Sequence, residues 1–496
     1  MQRLAHPFLS KTKYLKGLQC PKLIWYEYNR KDDLPKVDAA AQAIMDQGKR
    51  VGELAHALFP GGVTLERDYM PEKQAEQSMD AVKRRKPLFE AGFVYNKAYA
   101  LADILDPVNN NAWDLIEVKS SSGMKDEYLY DVAFQKYTYE GSGLKIRRCC
   151  LMYINKNYVR KGEIDPKKMF LKEDITTESS DLLPEIETGI EAMLKIIAKK
   201  DVPQVKVGPH CDKPRSCPLE EVCWDFLPAK DDVFCLYGGT KKAYEFMSNG
   251  ILSLSDISED SVLTYKQSIQ LAAHKNGKPH IDKSGITKFL NRLQYPLYLL
   301  DFETINPAIP LYDLSRPYET IPFQYSLHII RKEGAGAKRH SYLAPGDRDP
   351  RPEILKKLKD LLGDSGSVIA YNATFEKTVL RHASDAYPKY KPWVNKVEKR
   401  VVDLLDPFRG FFYYHPDQAG SASLKDVLPV ITNSSYKDME ISNGGTASAE
   451  YYRVTFGDNI DEKDSQRVRA ALEKYCDLDT KGMIDILEAL RKIGVE

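Results

Sequence analysis

The chain has 496 residues, which is too long for one hydrophobic core and predicts two or three domains. Hydrophobic residues make up 43% and charged residues 29%, as in an ordinary globular protein. Lysine and arginine number 72 and aspartate and glutamate 71, so the net charge does not favour a polyanionic partner. No apolar run approaches the roughly 18 residues that span a bilayer, and the N-terminus lacks a secretory signal, so we expect a cytoplasmic protein without a membrane partner.

The first half of the chain has the patterns of strands and helices in turn. Strand patterns precede residue 156 in three places, at 89–105, 112–121 and 147–155. A helix pattern at 127–141 separates the last two, and residues 177–200 have the spacing of one amphipathic helix with a capping signal at its start. This alternation predicts an α/β domain over residues 1–228.

A polar helical connector is predicted after this domain, at roughly 229–290, and a second α/β domain follows over 291–496. The elements of the second domain are a buried strand of the parallel type at 296–305, strands at 323–330 and 367–372, and a last helix at 464–493.

Three charged residues converge on a predicted hairpin of the first domain. Asp103 is placed at the end of one strand, and Glu117 and Lys119 follow the turn at 107–112. Residues two apart on a strand point to the same face, so Glu117 and Lys119 project together beside Asp103. Two carboxylates and an ammonium suit a hard divalent cation that holds a phosphate and activates water, although surface hairpins also carry such residues as plain salt bridges.

The surrounding residues strengthen the interpretation as a metal site. His56 lies on a short predicted helix, where an isolated histidine is more often a core residue, and Gln135 and Tyr139 share one helix face. A helix histidine, an Asp, a Glu-x-Lys and a Gln-x-x-x-Tyr in this order resemble the RecB-like branch of the PD-(D/E)XK nucleases, which includes the CRISPR-associated RecB-like and AddB types. The resemblance implies a restriction-endonuclease-like fold, Mg²⁺ or Mn²⁺ ligands at His56, Asp103 and Glu117, a catalytic Lys119, and Gln135 and Tyr139 as supporting residues that contact DNA.

Three cysteines, Cys211, Cys217 and Cys223, are evenly spaced, with five residues between each. Together with Cys20 they could hold an iron–sulfur cluster or zinc, although zinc usually takes Cys-x-x-Cys pairs, which are absent here. Two alternatives stay open on these residues alone. One is a zinc site that includes His210, and the other is that the three late cysteines bind no metal. The RecB-like resemblance implies a [4Fe–4S] cluster on one early and three late cysteines: Cys20, Cys211, Cys217 and Cys223. The other four are expected to be buried thiols: Cys149, Cys150, Cys235 and Cys476.

A second set of acidic residues lies in the C-terminal domain. Asp301 and Glu303 share one face of a buried strand, and Tyr475 and Asp479 are four apart on the last helix. Carboxylates that share a site repel each other unless divalent cations neutralise them, which predicts a two-metal phosphoryl-transfer centre. The order resembles the tyrosine branch of the DEDD (DnaQ-like) 3′→5′ exonucleases, which have an RNase H-like fold.

This second resemblance implies that Asp301, Glu303, Glu376 and Asp479 hold Mg²⁺ or Mn²⁺ and that Tyr475 orients the attacking water. Relatives carry Asp in the middle motif, where this chain has Glu376, so the activity of this domain is less secure than that of the first. Asp403 occupies a position where relatives often have an Asp of lesser role. A decayed exonuclease fold is the alternative.

The two domains together resemble a bacterial two-nuclease family, and we expect an iron–sulfur nuclease that acts on DNA, on single strands or at ends, in repair or in defence against foreign DNA. The alternatives are an RNA-processing 3′ exonuclease and a non-catalytic nucleic-acid-binding scaffold with degenerate sites. Three basic runs are candidate contacts for a nucleic acid or merely solvated faces: residues 83–86, 145–148 and 387–400.

Overall fold

A computed structural model describes residues 8–109, 111–432, 434–458 and 460–495 of the chain. The chain divides into two compact units. Unit 1 comprises Met1–Trp224 and Pro307–Tyr318, and unit 2 comprises Asp225–Asn306 and Glu319–Glu496. The expected helical connector at 229–290 therefore belongs to unit 2, and a short segment from the second half of the chain belongs to unit 1.

A seven-stranded sheet forms the centre of unit 1, with the strand order β2-β3-β4-β5-β6-β7 and β1 paired in parallel with β4. The pairs β2/β3 and β5/β6 are parallel, and the pairs β3/β4, β4/β5 and β6/β7 are antiparallel. The strands are β1 (Leu9–Ser10), β2 (Val63–Thr64), β3 (Leu88–Tyr95), β4 (Ala98–Val108), β5 (Ala112–Lys119), β6 (Lys145–Ile154) and β7 (Phe170–Asp174).

The helices of unit 1 cover both faces of this sheet. They are α1 (Lys11–Gln19), α2 (Pro21–Asn29), α3 (Ala39–His56), α4 (Pro71–Val82), α5 (Asp126–Gly141), α6 (Pro166–Met169), α7 (Thr176–Asp181), α8 (Leu183–Ile197) and α9 (Glu220–Cys223). Successive residues of β5 point to opposite faces of the sheet. Leu115 packs in the core with Val132 of α5, whereas Ile116 packs in the core with Val51 of α3. Glu117 has the parity of Leu115, and so it projects towards α5.

The segment Pro307–Tyr318 closes part of the α3 side of unit 1. Ala308 is buried in that core, and its N–H donates to the Gln47 side chain at 2.8 Å. Arg160 donates to the carbonyl oxygens of Pro310 and Leu311 at 3.0 and 2.7 Å. The two ends of the segment also meet, because the Tyr318 N–H donates to the Pro307 carbonyl at 2.9 Å.

A five-stranded sheet with the order β11-β10-β9-β12-β13 forms the centre of unit 2. The pairs β11/β10 and β10/β9 are antiparallel, and the pairs β9/β12 and β12/β13 are parallel. A separate two-stranded ribbon pairs β8 with β14. The strands are β8 (His280–Ile281), β9 (Leu297–Ile305), β10 (Ile321–Ile330), β11 (Lys338–Leu343), β12 (Ser367–Ala370), β13 (Val401–Asp403) and β14 (Tyr413–Tyr414).

Ten α-helices are assigned in the described part of unit 2. They are α10 (Thr240–Ser248), α11 (Tyr265–Asn276), α12 (Lys283–Leu290), α13 (Arg351–Leu361), α14 (Ala373–Ala386), α15 (Lys391–Glu398), α16 (Asp406–Arg409), α17 (Leu424–Ile431), α18 (Gly444–Phe456) and α19 (Glu462–Val495). Helices α13, α14 and α15 contribute Leu355, Leu380 and Val394 to a core with strand residues such as Leu300. The long helix α19 packs against β9 and β10.

The expected α/β class is confirmed, since each unit combines a sheet with helices. Three local details differ from the sequence expectations. The strand pattern at 89–105 is a hairpin, because Asn96 and Lys97 adopt the positive φ values of 43° and 67° that suit a two-residue turn. β4 continues to Val108, so Asp103 lies inside the strand and not at its end.

The helix expected at 177–200 is two helices, α7 and α8, with Pro184 in the first turn of α8. Proline lacks the N–H that a continuous helix needs and is favoured at a new helix start. Among the described residues no helix is long and apolar enough to cross a membrane.

Candidate functional sites

The first cluster of unit 1 is assembled by two strands and two helices. Asp103 lies on β4, Glu117 and Lys119 lie on β5, and Lys11 is the first residue of α1. Helix α5 adds Asp131 and Gln135, which are one helical turn apart and therefore face the same side.

Glu117 is the centre of this cluster and is buried. Its Oε1 atom accepts from the ammonium groups of both Lys11 and Lys119 at 2.7 Å. Its Oε2 atom accepts from the side-chain amide of Gln135 at 2.7 Å. The predicted convergence of Glu117, Lys119 and Gln135 is therefore present.

Asp131 is a buried member that the sequence reasoning missed. Its Oδ2 lies 2.5 Å from the Lys119 ammonium, and its Oδ1 accepts from Gln135 at 3.0 Å and lies 3.6 Å from the Lys11 ammonium. The signal available for Asp131 was its position four residues before Gln135 on the same helix. Lys11 carried no comparable signal, because more than 100 residues separate it from Glu117.

Asp103 joins the cluster through the hairpin. Its Oδ2 accepts the Val118 N–H at 2.7 Å, which fixes the carboxylate beside Glu117. The ring of His56, at the end of α3, stacks on Phe89 with 3.8 Å between ring centroids, and burial lowers the pKa of the imidazole. The structure therefore gives His56 a ring contact and a mostly neutral state, whereas Asp103 has a direct bond to the Glu117 strand.

Tyr139 is fully buried beneath the sheet. Its hydroxyl accepts the Ala102 N–H at 2.7 Å and donates to the Ala91 carbonyl. These two bonds join Tyr139 to β3 and β4, so its contacts are those of a residue that positions strands. Gln135 is also buried, and its Oε1 atom has no hydrogen-bond partner among the described residues. The expected DNA contacts of these two side chains have no exposed polar atom to carry them.

The charges in this cluster do not balance. Burial, together with the charges of Asp103 and Asp131, raises the pKa of Glu117 to about 7 against the opposing charges of Lys11 and Lys119. Burial alone would also raise the pKa of Asp131, but Lys11 and Lys119 outweigh it and lower that pKa. Burial would lower the pKa of Lys119, but Asp131 and Glu117 raise it. Carboxylate oxygens with unbalanced negative charge fit a hard divalent cation.

The second cluster lies on β9, the central strand of the unit 2 sheet. One carboxylate oxygen each from Asp301, Glu303 and Asp479 lies within 4.8 Å of the other two. Asp301 and Glu303 are two apart on β9, and Asp479 comes from α19, which packs across that strand. The predicted convergence of these three residues is therefore present.

Glu376 is buried on the first turn of α14, which follows Asn372 in the left-handed conformation. Its Oε2 atom has no hydrogen-bond partner among the described residues. Asp403 has a different environment: its Oδ1 accepts the N–H groups of Asn372 and Leu405 at 2.9 and 3.1 Å, and its Oδ2 pairs with Arg409. Asp403 therefore holds the turn before α14.

Three residues near this cluster were missed by the sequence reasoning. The Tyr436 hydroxyl donates to Asp479 Oδ1 at 2.5 Å, and the Cys476 thiol donates to Asp301 Oδ2 at 3.4 Å. The Lys425 ammonium lies 5.9 Å from the ring centroids of both Tyr436 and Tyr475. Only Cys476 had a signal, since it adjoins the Tyr-x-x-x-Asp motif.

Burial raises the pKa of every carboxyl group in the second cluster, and repulsion by neighbouring carboxylates adds to it at Asp301, Glu303 and Glu376. The pKa values of Asp301 and Glu303 lie well above the usual range, first because of burial and then because of Asp479. Burial raises the pKa of Asp479 to about 7, although the Tyr436 hydrogen bond and Lys425 lower it. Burial also raises the pKa of Glu376 to about 8. Four acids of this kind fit the donor set of divalent cations.

Four cysteines line one cavity at the edge of unit 1: Cys20, Cys211, Cys217 and Cys223. Cys20 ends α1 and precedes α2, and Cys223 ends α9. The Cys217 N–H donates to the Cys211 carbonyl at 2.7 Å, and the Gln19 side chain donates to the Arg215 carbonyl at 2.7 Å. The predicted partnership of an early cysteine with three late ones is therefore present.

The spacing of these sulfur atoms bears on what they could hold. All four cysteines are described, and no three of their sulfur atoms lie within 4.8 Å of one another. Sulfur ligands of one tetrahedral zinc ion lie about 3.8 Å apart, whereas each thiolate of a cubane binds a different iron. Burial and the neighbouring thiols raise the pKa of Cys217 to about 11, so a positive ligand is needed to ionise it.

Arginines in the three basic runs are largely engaged within the protein. Arg85 lies over the Trp113 ring and donates to the Ala112 carbonyl at 2.8 Å. Arg147 pairs with Asp114 at 2.6 Å, and Arg400 donates to the Gly366 carbonyl at 3.1 Å. These arginines stabilise turns and strand ends. Their contacts therefore give the runs a structural role in place of a nucleic-acid contact.

Comparison with known proteins gives partial matches. A family model described as "Domain of unknown function (DUF2779)" matches residues 298–423, about a quarter of the chain. The matched range contains Asp301, Glu303 and Glu376 but ends before Asp479.

Curated relatives cover less than half of the chain. An "Uncharacterized protein" of Ureaplasma parvum is 26% identical over 260 residues, which are 47% of this chain and 36% of that protein. An "Uncharacterized protein" of Mycoplasma genitalium is 27% identical over 216 residues, 40% of this chain and 32% of the relative. A homologue in Mycoplasma pneumoniae is 28% identical over 230 residues, which are 41% of this chain and 34% of that protein. The chain thus spans about a third of the length of the curated relatives it matches.

Proposed function

We propose that the chain is a metal-dependent nuclease that hydrolyses DNA phosphodiesters, with one hydrolytic centre in each unit. On this proposal unit 1 is a RecB-like PD-(D/E)XK domain, and unit 2 is a DnaQ-like DEDD 3′→5′ exonuclease domain. The strand order of unit 2 supports the second assignment, because three consecutive antiparallel strands followed by two parallel strands are typical of RNase H-like folds.

The observation that carries the proposal is the meeting of Asp301, Glu303 and Asp479 within 4.8 Å. More than 170 residues separate the strand acids from Asp479, so the fold brings them together despite their repulsion. Buried carboxylates at this distance destabilise one another unless cations neutralise them. A site for divalent cations explains why the chain keeps them together.

In unit 2 the acids Asp301, Glu303, Asp479 and Glu376 would hold the cations, which when bound stabilise negative charge at phosphorus and lower the pKa of water. Tyr436 fixes one oxygen of Asp479, and Cys476 fixes one oxygen of Asp301. These bonds orient the carboxylates before any ligand arrives. Tyr475 would orient the attacking water.

In unit 1 the acids Asp103 and Glu117 would hold Mg²⁺ or Mn²⁺, whereas His56, which stacks on Phe89 of the α3 core, is left out of the ligand set. Lys119 would place its positive charge beside the attacking water, and Asp131 holds that ammonium in place. Gln135 holds Glu117 from the opposite side. The four cysteines at Cys20, Cys211, Cys217 and Cys223 would carry a [4Fe–4S] cluster that joins the two ends of the unit.

The test is the cleavage of 5′- and 3′-labelled single and double strands of DNA and RNA with Mg²⁺ or Mn²⁺. Lys119→Ala should lower the cleavage by unit 1 about 10²-fold or more, because the charge beside the water is lost. Asp301→Ala should abolish 3′→5′ trimming by unit 2. The double variant should be inactive.

Exposed residues of the same type supply matched controls. Lys195→Ala and Asp364→Ala change exposed side chains outside the basic runs and should cleave like the wild type. Hydrolysis of RNA alone would favour the RNA-processing alternative, and metal-independent binding without cleavage would favour the scaffold. Full activity in the double variant would contradict both site assignments.

A further inference from the structure

Lys11 is a charged residue of the unit 1 cluster that lies outside the nuclease motifs, and its backbone is firmly placed. β1, which precedes it, pairs in parallel with β4, with Ser10 opposite Tyr99. The Ser10 side chain caps α1 by accepting the Lys13 N–H at 3.4 Å. α1 itself packs against α5, the helix of Asp131. The sheet and the helix together therefore direct Lys11 at the cluster.

The Lys11 ammonium shares one acceptor with the Lys119 ammonium. Both lie 2.7 Å from Oε1 of Glu117. Lys11 also lies 3.6 Å from Asp131, which Lys119 contacts at 2.5 Å. A divalent cation bound by Glu117 would therefore meet two ammonium groups at the same oxygen. Lys119 has a second close partner in Asp131, whereas the distance from Lys11 to Asp131 is longer. Lys11 is therefore the easier of the two to displace.

The charges of the cluster indicate what Lys11 would do once displaced. Four carboxylates, Asp103, Glu117, Asp131 and the partly buried Glu90, act on two ammonium groups, which leaves two net negative charges when all are ionised. A divalent cation neutralises the site, and a phosphodiester then adds one negative charge. Without Lys11 the site with cation and phosphodiester would carry two unbalanced negative charges.

We infer that Lys11 is a second active-site ammonium of unit 1, which competes with the divalent cation for Glu117 and binds a phosphate oxygen of the substrate when the cation is present. This inference rests on the proposed nuclease function of unit 1. The alternative is that Lys11 is only a structural salt bridge of α1. The two roles predict opposite effects on metal affinity, since the loss of a competitor tightens metal binding and the loss of a structural contact does not.

The experiment measures Mn²⁺ binding directly, from the free Mn²⁺ signal in electron paramagnetic resonance at room temperature. The full chain carries Asp301→Asn and Asp479→Asn, so that unit 2 no longer contributes a site. Lys11→Gln should bind Mn²⁺ at least about tenfold more tightly than this background, because a unit charge within a few ångströms is removed. Lys11→Arg keeps the charge and should stay near the background affinity.

Cleavage of a single-stranded DNA oligonucleotide at saturating Mn²⁺ is the second readout. Lys11→Gln should raise KM and lower kcat/KM about tenfold or more, because a phosphate contact is lost. Lys13→Gln is the matched control, since Lys13 lies on the same helix but over the Tyr28 ring. It should change neither quantity. Lys11→Met gives a second uncharged variant if Lys11→Gln does not fold.

The outcomes separate the inference from the function on which it rests. If the background binds Mn²⁺ and Lys119→Gln abolishes cleavage, but a folded Lys11→Gln binds Mn²⁺ no more tightly and cleaves normally, then Lys11 is a structural residue and the inference is wrong. If the background binds no Mn²⁺ and Lys119→Gln cleaves normally, the nuclease function of unit 1 is itself wrong, and the inference falls with it.

Discussion

The fold favours the protonated form of Glu376, whereas water favours the ionised form of a glutamate side chain. The carboxyl group is buried on α14, and one of its oxygen atoms has no hydrogen-bond partner among the described residues. Burial is the main reason why its pKa is raised to about 8, and the charges of Asp403 and Asp479 make smaller contributions to that value. The protonated acid is therefore favoured in the folded protein at neutral pH, whereas an unfolded glutamate has a pKa of about 4.3.

This difference predicts how the metal-free protein responds to pH. A folded-state pKa above the unfolded value contributes stability below about pH 4, and this contribution is lost as the pH rises through about 8. Each pKa unit corresponds to about 1.4 kcal/mol in the free energy of unfolding, and 1 kcal/mol shifts Tm by about 2–4 °C in a domain of this size. In the presence of a chelator, the calorimetric Tm of unit 2 should fall by several degrees between pH 5 and pH 8.

Glu376→Gln should make this dependence shallower, because glutamine cannot ionise, while Asp301, Glu303 and Asp479 keep their raised pKa values. The matched control is Glu488→Gln, which changes an exposed carboxyl group on α19 and should keep the wild-type slope. Equal slopes in the wild type and in Glu376→Gln would show that Glu376 is ionised in the folded protein throughout this range.

Helix α1 connects two of the candidate sites at the scale of an element. It begins with Lys11 at the Glu117 cluster and is followed by Cys20 at the cysteine cavity, so nine residues, about 14 Å of helix, separate the two. Tyr14 and Gly17 are buried along it, and the close contact of Gly17 with Met193 holds α1 against α8. We therefore expect a change at one end of α1 to affect the other end through this packed helix.

Cys20→Ala tests this connection. Anaerobically purified wild type should be brown, with about four iron and four sulfide per chain, as a Cys₄ cubane requires. The variant should lose iron, and the thermal unfolding of unit 1 should occur several degrees lower, since a bound group that ties distant segments stabilises the folded state. Iron analysis and hydrogen exchange across α1 and α5 measure the two effects.

Cys235→Ala serves as the control, because Cys235 belongs to unit 2 and is not among the residues that line the cavity. It should retain iron and the wild-type exchange pattern. Stoichiometric zinc without iron in the anaerobic wild type would contradict the cluster, and unchanged exchange at α1 in an iron-free Cys20→Ala protein would contradict the mechanical connection.

At the scale of the whole molecule, neither unit is one continuous stretch of the sequence. Unit 1 is completed by Pro307–Tyr318, which leaves unit 2 directly after β9, the strand of Asp301 and Glu303. The segment buries Ala308 and pairs its backbone with Arg160, whose N–H donates to the Ser315 carbonyl at 3.0 Å. The Tyr318 hydroxyl is hydrogen-bonded to Ser120, the neighbour of Lys119.

Replacing residues 308–317 with a Gly/Ser linker of equal length should therefore weaken unit 1 and not unit 2. The loss of Ala308, Ile309 and the backbone bonds of Arg160 should cost roughly 2–4 kcal/mol by the usual values for buried side chains and hydrogen bonds. Hydrogen exchange should quicken in α3 and β5 while β9 and β12 stay protected. The same replacement over the exposed turn at 331–337 is the control, and equal protection of α3 in both variants would contradict the assignment of the segment to unit 1.

The sequence alone determined much of the local chemistry of this protein. Strand alternation predicted that Glu117 and Lys119 share a face, and the hairpin turn brought Asp103 to them, because period and turn geometry depend on neighbouring residues only. The spacing of Tyr475 and Asp479 on one helix, and of Asp301 and Glu303 on one strand, was equally local. Pairing Cys20 with the late cysteines depended on a family resemblance, since nothing local connects residues about 190 apart.

The tertiary structure decided which distant groups complete each site. Lys11 and Asp131 reach Glu117 only because β1 joins β4 and α5 covers β5, and Tyr436 reaches Asp479 from a segment with no motif of its own. The raised pKa values of Glu376 and Asp479 follow from burial, which depends on how whole layers pack. The membership of Pro307–Tyr318 in unit 1 has the same cause: apolar surface is buried wherever a complementary core is available, however far along the chain that core lies.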